Sequence, residues 1–385
     1  CVDKRHAFIR MLGLIFKMNS SILTTSEKAY SYLDNTNWTL CLGAGICKGI
    51  LPDWFDLTRN VVNEIFNFNW SENDFKENID KIGFSLDSWL QAALNKNLKD
   101  GNTIDDFNFI LEKNLYQNII RKAEDYRLGE ALAVMIHNPH WIKKKESIGI
   151  VEFFEKEYSN STLIQLKNIL LDSDDKLTRP ESIITFNADP LLHSLVVIFG
   201  VYNHYKKTGE YNYPQEDYVR VTRPFETGRE KKIPILHLHG AIYPQIPVDR
   251  KIKNDSRDNL IFAESSYSKA AATMSGWAQN VFSYTATNSK MIFLGLSMSD
   301  PNIRKWLNWS TENINNQLDS FKGDDNNKII KHIWIQPKPI NESTQKFLEN
   351  SLIHLGTKPG WINSWQDVEK GILNLMGKKT KSNNG

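Results

Sequence analysis

Cysteine is scarce: Cys1, Cys41 and Cys47 are the only three in 385 residues. They are too few for a four-thiolate zinc module, and the chain after Cys47 has none at all. A low, odd count fits a reducing compartment, so a cytoplasmic location is expected. Long apolar runs are missing as well, since nothing approaches the roughly 18 residues that span a bilayer. The run 11–16, behind Lys4, Arg5 and Arg10, is stopped by Lys17 and is too short for the apolar core of a secretory signal. A sequence that opens on Cys1 suggests first residues that are processed or added, with Met18 as a natural start. Excess charge is absent too: 47 Lys+Arg against 45 Asp+Glu gives a net charge of +2. That balance leaves no chain-wide footprint for nucleic acid, so neither direct nucleic-acid contact nor a membrane partner is expected.

What is present is an ordinary globular composition, with 41% hydrophobic and 11% aromatic residues. It excludes intrinsic disorder. Short apolar runs at 38–42, 182–186, 233–239 and 291–296, with a fifth candidate at 329–335, are bounded by Gly, Pro, Asn or Asp. Most are continuous rather than alternating, as strands covered on both faces are. The fold class is therefore α/β, Rossmann-like, with a largely parallel sheet, helices on both faces and no zinc module. A long helical stretch separates the first two runs. In it Phe107, Ile110, Leu111, Leu115 and Ile119 share one helix face, as do Leu86, Trp89, Leu90 and Leu94, and both stripes read as core. The expected division is an N-terminal extension at 1–35, a catalytic domain at 36–340 with a helical insertion at about 70–170, and a C-terminal helical segment with a flexible tail at 341–385. Residues 201–232 and 244–258 are polar and read as loops or an irregular module.

Four constellations could carry chemistry. The first, Leu42-Gly43-Ala44-Gly45, runs from a strand into small residues that let the backbone approach a pyrophosphate, with a helix expected next. Alone it is no more than a tight turn. The second, Thr185-Phe186-Asn187-Ala188-Asp189-Pro190, ends a strand in an amide and a carboxylate. Asp189 reads as a helix N-cap, whereas Asn187 points to the crevice where open α/β sheets bind ligands. The third, His237-Leu238-His239-Gly240, places two imidazoles on one strand face by period-two alternation. His239, next to Gly240, is the candidate base, and His237 reads as a hydrogen-bonded core histidine. No further ligands lie near the pair, so no metal site is expected. The fourth, Gly295-Leu296-Ser297-Met298-Ser299-Asp300, reads either as a helix cap or as a loop over a nucleotide's ribose or phosphate. There is no serine nucleophile elbow and no Walker-type phosphate loop.

In this order, Gly-Ala-Gly, Thr-x-Asn-x-Asp, Leu-His-Gly and Gly-x-Ser resemble the sirtuin superfamily over roughly residues 36–340. Pro52-Asp53-Trp54-Phe55-Asp56-Leu57 resembles the Pro-x-Trp-x-x-Leu of its bacterial antiphage NAD+-cleaving branch and lacks the Arg of the protein deacylases. The missing cysteines point the same way, because deacylases usually carry a four-cysteine module after Leu-His-Gly. Cys47 stands where the family usually has Ser, and Phe186 replaces the deacylases' Gln. The resemblance implies an NAD+ hydrolase, with NAD+ as substrate and no zinc, acting by abortive infection. It implies Asn187 and His239 as the catalytic pair and Gly43, Ala44, Gly45, Asp53, Asp189, Gly295 and Ser297 as cofactor contacts. A protein deacylase and a silent NAD+ or ADP-ribose scaffold remain as alternatives. About 45 residues follow Ile340, so control is expected from a homo-oligomer or from a HerA-type hexameric ATPase partner.

Overall fold

A computed structural model describes residues 38–172, 179–213, 217–222, 232–246, 260, 263–265, 276–319 and 330–375. The expected extension at 1–35, the polar segment 247–258 and the tail at 377–385 lie outside the described residues. Seven parallel strands form one sheet in the order β3-β4-β2-β1-β5-β6-β7, with helices around it. They are β1 (Trp38–Leu42), β2 (Ser182–Thr185), β3 (Tyr218–Val221), β4 (Ile233–His237), β5 (Lys290–Leu294), β6 (His332–Pro337) and β7 (Thr357–Ile362). The α/β class and the parallel sheet are as the apolar runs predict. β1 is buried along its whole length, which explains why Trp-Thr-Leu-Cys-Leu shows no alternation.

Contacts divide the chain into two compact units. One comprises Leu42–Leu171 and Ile184–Ala278. Seven helices follow β1 there: α1 (Trp54–Phe66), α2 (Glu72–Ile82), α3 (Leu86–Lys99), α4 (Ile104–Glu124), α5 (Gly129–His137), α6 (Lys144–Tyr158) and α7 (Thr162–Asp172). Their starts are written in the sequence. Ser71 and Thr103 form capping boxes with Asp74 and Asp106, and Asp53 and Ser85 cap α1 and α3 through their side chains. Of the predicted stripes, the first is core, with Phe107, Leu111, Leu115 and Ile119 buried and Ile110 half-buried, whereas in the second Leu90 is buried but Leu86, Trp89 and Leu94 are half-buried. Phe75 is fully enclosed by Phe55, Trp70 and Trp89, with ring centroids 5.2, 6.3 and 5.5 Å away. After β2, α8 (Leu191–Thr208) is buried along nearly its whole first half.

The other unit comprises Cys1–Cys41, Asp172–Ile183 and Gln279–Gly385 as far as they are described. It holds most of α9 (Trp277–Asn288), then α10 (Pro301–Asp319), α11 (Glu342–Leu352) and α12 (Val368–Leu375). Within it, Lys331 Nζ donates to the main-chain oxygens of Ala286 and Thr287 at the end of α9.

Three expectations are corrected. The segment 201–232 is not simply loop: α8 continues to Thr208, and Tyr218–Val221 pairs with β4 as an edge strand. β4 ends at His237, and residues 238–239 form a turn closed by the Gly240 N–H donating to His237 O, with Gly240 at φ +76°. His237 and His239 therefore do not share a strand face. Finally, the segment after Gly43 is a four-residue 3-10 turn (Ala44–Cys47) rather than an α-helix, and α1 begins only at Trp54.

Candidate functional site

The loops after β1, β2 and β4 supply the candidate residues, all within the unit that contains Leu42–Leu171 and Ile184–Ala278. Backbone bonds fasten these loops to one another. Phe186 N–H donates to Leu42 O at 3.0 Å, Leu238 N–H to Thr185 O at 3.0 Å, and Ile242 N–H to Ala188 O at 2.7 Å. From the helical region, the buried Tyr116 hydroxyl of α4 donates to Ile242 O at 2.7 Å. The segment after β4 is thus held on two sides, which fixes where His239 emerges.

At the centre lies a buried side-chain relay. Asn187 Nδ2 donates to Cys47 Sγ at 3.8 Å, and the Cys47 thiol donates to both carboxylate oxygens of Asp189 at 3.6 Å. Asp189 also accepts from the Leu191 N–H at 3.1 Å. It is not the N-cap, because Pro190 occupies that position without a side-chain bond. Asp189 turns the chain one residue earlier and faces Cys47. Burial raises its pKa to about 6. Burial, and then the Asp189 charge, push the Cys47 thiol well above its ordinary value, so it acts as a thiol donor rather than a thiolate. Asn187 is 4% exposed, and its Oδ1 has no partner among the described residues.

His239 is buried, and the Phe186 ring stands edge-on to it with centroids 4.9 Å apart. Burial lowers its pKa to about 4, so the imidazole is neutral at physiological pH. His237 is buried still deeper. Its pKa falls to about 3 through burial and the Arg220 charge, and its Nδ1 lies 3.4 Å from Asn187 O.

Of the glycine loop, Gly43 is buried, Ala44 exposed and Gly45 half-buried. The Ile46 N–H donates to Gly43 O at 3.2 Å. Asp53 accepts from the Asp56 N–H at 3.0 Å as the α1 cap. It also lines a cavity of about 420 Å³ with Lys48, Asp56, Arg59, Lys122 and Tyr158, which neither Asn187 nor His239 lines. In the other unit, Gly295 takes φ +68°, a conformation suited to glycine. Ser297 is exposed and shares a 2.6 Å hydroxyl bond with Ser299, while Asp300 caps α10 by accepting from Asn302 and Ile303.

Residues that the sequence does not mark as site candidates also belong to this neighbourhood. Arg220 of β3 donates to Ile136 O at 3.2 Å and to His137 O at 2.8 Å, and lies 5.0 Å from the Tyr243 ring centroid. His137 stacks on Tyr243 at 5.0 Å. Only the position of Tyr243 just after Gly240 could have flagged it.

Among the described residues no group of three or more His, Cys, Asp or Glu could hold a metal ion. No helix among them is long and apolar enough to cross a membrane. No curated protein matches the chain. Residues 181–355, which include Asn187, His239, Gly295 and Ser297, match the family model of the SIR2-like domain, and this supports a sirtuin-like superfamily relationship and an NAD-related activity.

Proposed function

We propose that the chain is an NAD+ glycohydrolase that releases nicotinamide and ADP-ribose, and that it depletes NAD+ in antiphage defence by abortive infection. The observation that carries this reading is the relay joining Asn187 to Cys47 of the glycine loop and to Asp189, beside a buried, neutral His239. A substrate with hydroxyl and amide donors fits there, because Asn187 Oδ1 is a buried acceptor with no partner among the described residues.

The chemistry asks little covalent work of the protein. The nicotinamide ring is cationic while bound to ribose and leaves neutral, so the barrier is governed by an oxocarbenium-like ribosyl centre. Asn187 would hold the ribose or orient the attacking water. As the water oxygen bonds to C1′, the electron pair of the C1′–N bond leaves with nicotinamide, and His239 accepts the proton that water loses. A pKa near 4 keeps that imidazole unprotonated throughout the physiological range; a general base contributes roughly 10²–10⁴ in rate when its pKa lies near the working pH, so substrate binding would have to raise that of His239. Gly43, Ala44 and Gly45 would cradle the pyrophosphate, with Asp53 and Asp189 as polar supports.

Unrestrained NAD+ loss would kill the host, so such an activity calls for gating. Homo-oligomerisation and a HerA-type hexameric ATPase are the proposed means, supported by the motif likeness alone. The test is nicotinamide and ADP-ribose release from NAD+ by the purified chain, with and without such an ATPase. The weak basicity of His239 favours one second reading, a scaffold that binds NAD+ or ADP-ribose, which tight binding without turnover in both conditions would establish.

A further inference from the structure

His237 is not used by the reaction outlined above, yet its surroundings are unlike those of an ordinary core histidine. A main-chain carbonyl can only accept, so the 3.4 Å contact with Asn187 O requires that His237 Nδ1 carry the hydrogen. With Nδ1 protonated and the ring neutral, Nε2 is a bare acceptor. His237 is 2% exposed, and Nε2 has no partner among the described residues. The residue whose backbone it holds carries the second orphan acceptor, Asn187 Oδ1. Two buried acceptors, on residues that a hydrogen bond joins, are costly to leave unmade. Two donors of the neighbourhood are committed elsewhere, the Tyr116 hydroxyl to Ile242 O and the Arg220 guanidinium to Ile136 O and His137 O.

We infer that His237 contacts the ligand, its Nε2 and Asn187 Oδ1 forming an acceptor pair that takes hydroxyl or amide hydrogens and rejects anionic oxygen. This rests on the NAD+ reading above. Two parts of the substrate carry such donors, the carboxamide of nicotinamide and the hydroxyls of the ADP-ribose moiety.

Calorimetric titration of the full chain with nicotinamide, nicotinic acid and ADP-ribose separates them, using wild type, His237→Asn and His237→Gln. Asn keeps an amide N–H where Nδ1 sits but has nothing at the Nε2 position, whereas Gln reaches that position with an acceptor. His237→Asn should weaken binding of one probe about tenfold, as loss of one hydrogen bond does, and His237→Gln should recover most of it. A loss confined to nicotinamide, with nicotinic acid bound poorly throughout, assigns the carboxamide; a loss confined to ADP-ribose assigns the hydroxyls. Wild-type affinity for both probes in His237→Asn overturns the inference, leaves the NAD+ reading intact and makes His237 a core group or the holder of a buried water. Failure of wild type to bind either probe overturns both. In case His237→Asn does not fold, nitrogen-15 spectra of selectively histidine-labelled wild type give a second readout. The His237 Nε2 resonance should move from a free to a bonded acceptor when the probe is added, and an unmoved resonance at saturation overturns the inference.

Discussion

Replacing Asp189 with Asn removes a charge that the fold resists. The carboxyl is 8% exposed, and burial lifts its pKa from the ordinary 3.8 to about 6. A gap of about 2.2 pH units at 1.36 kcal/mol each amounts to about 3 kcal/mol. The sign follows from the direction of the shift. With the folded pKa above the unfolded one, the penalty is absent below about pH 3.8, grows through the interval and is complete above about pH 6. About 1 kcal/mol of it is already present at pH 4.5, so some 2 kcal/mol should develop between pH 4.5 and 7.5. Asn keeps a carbonyl oxygen to accept from the Cys47 thiol and the Leu191 N–H, so the comparison isolates the charge. Urea unfolding of wild type and Asp189→Asn, followed by circular dichroism at pH 4.5, 6.0 and 7.5, measures the difference. The variant should gain about 2 kcal/mol on wild type across that range. A difference that is flat with pH, or one that turns in favour of wild type as pH rises, refutes the reasoning.

Asn187→Ala and His239→Ala should each lower nicotinamide release from NAD+ by roughly 10² or more while the far-ultraviolet dichroism stays that of wild type; full turnover in both would remove the catalytic assignment. Cys47→Ala strips Asp189 of a donor and Asn187 Nδ2 of an acceptor, at a cost of about 1–3 kcal/mol. Cys47→Ser retains both capacities, so its melting temperature should lie closer to wild type, and equal melting of the two variants would mean that the relay contributes nothing. Phe75→Ala, within its cage of Phe55, Trp70 and Trp89, should cost about 3–5 kcal/mol in denaturant unfolding. A loss below about 1 kcal/mol would mean that the cage collapses to fill the space.

The strands at the middle of the sheet were legible because burial on both faces writes itself as an unbroken apolar run, as in β1 and β5. The edges were not. β3 is four residues, Tyr-Val-Arg-Val, set in polar surroundings. β7 contains Pro359 and Gly360, which argue against a strand except at an edge, and there β7 lies, with Trp334 opposite Pro359. Asn187 and His239 could be singled out because each closes a strand-like run. The bonds that give Asn187 its surroundings could not be read. Cys47 and Asp189 are 142 positions apart, and no local pattern encodes a contact over that separation. The strand face proposed for His237 and His239 failed for a local reason, the turn after His237 that Gly240 permits.

The central claim is that the loops after β1, β2 and β4 build a site that breaks the nicotinamide–ribose bond of NAD+. Its most direct test is to incubate the purified chain with NAD+, alone and with a HerA-type ATPase, and to quantify nicotinamide and ADP-ribose by chromatography. Equal amounts of the two products are expected in at least one condition, with neither formed by Asn187→Ala. Intact NAD+ in both conditions, or equal release by wild type and Asn187→Ala, would contradict it.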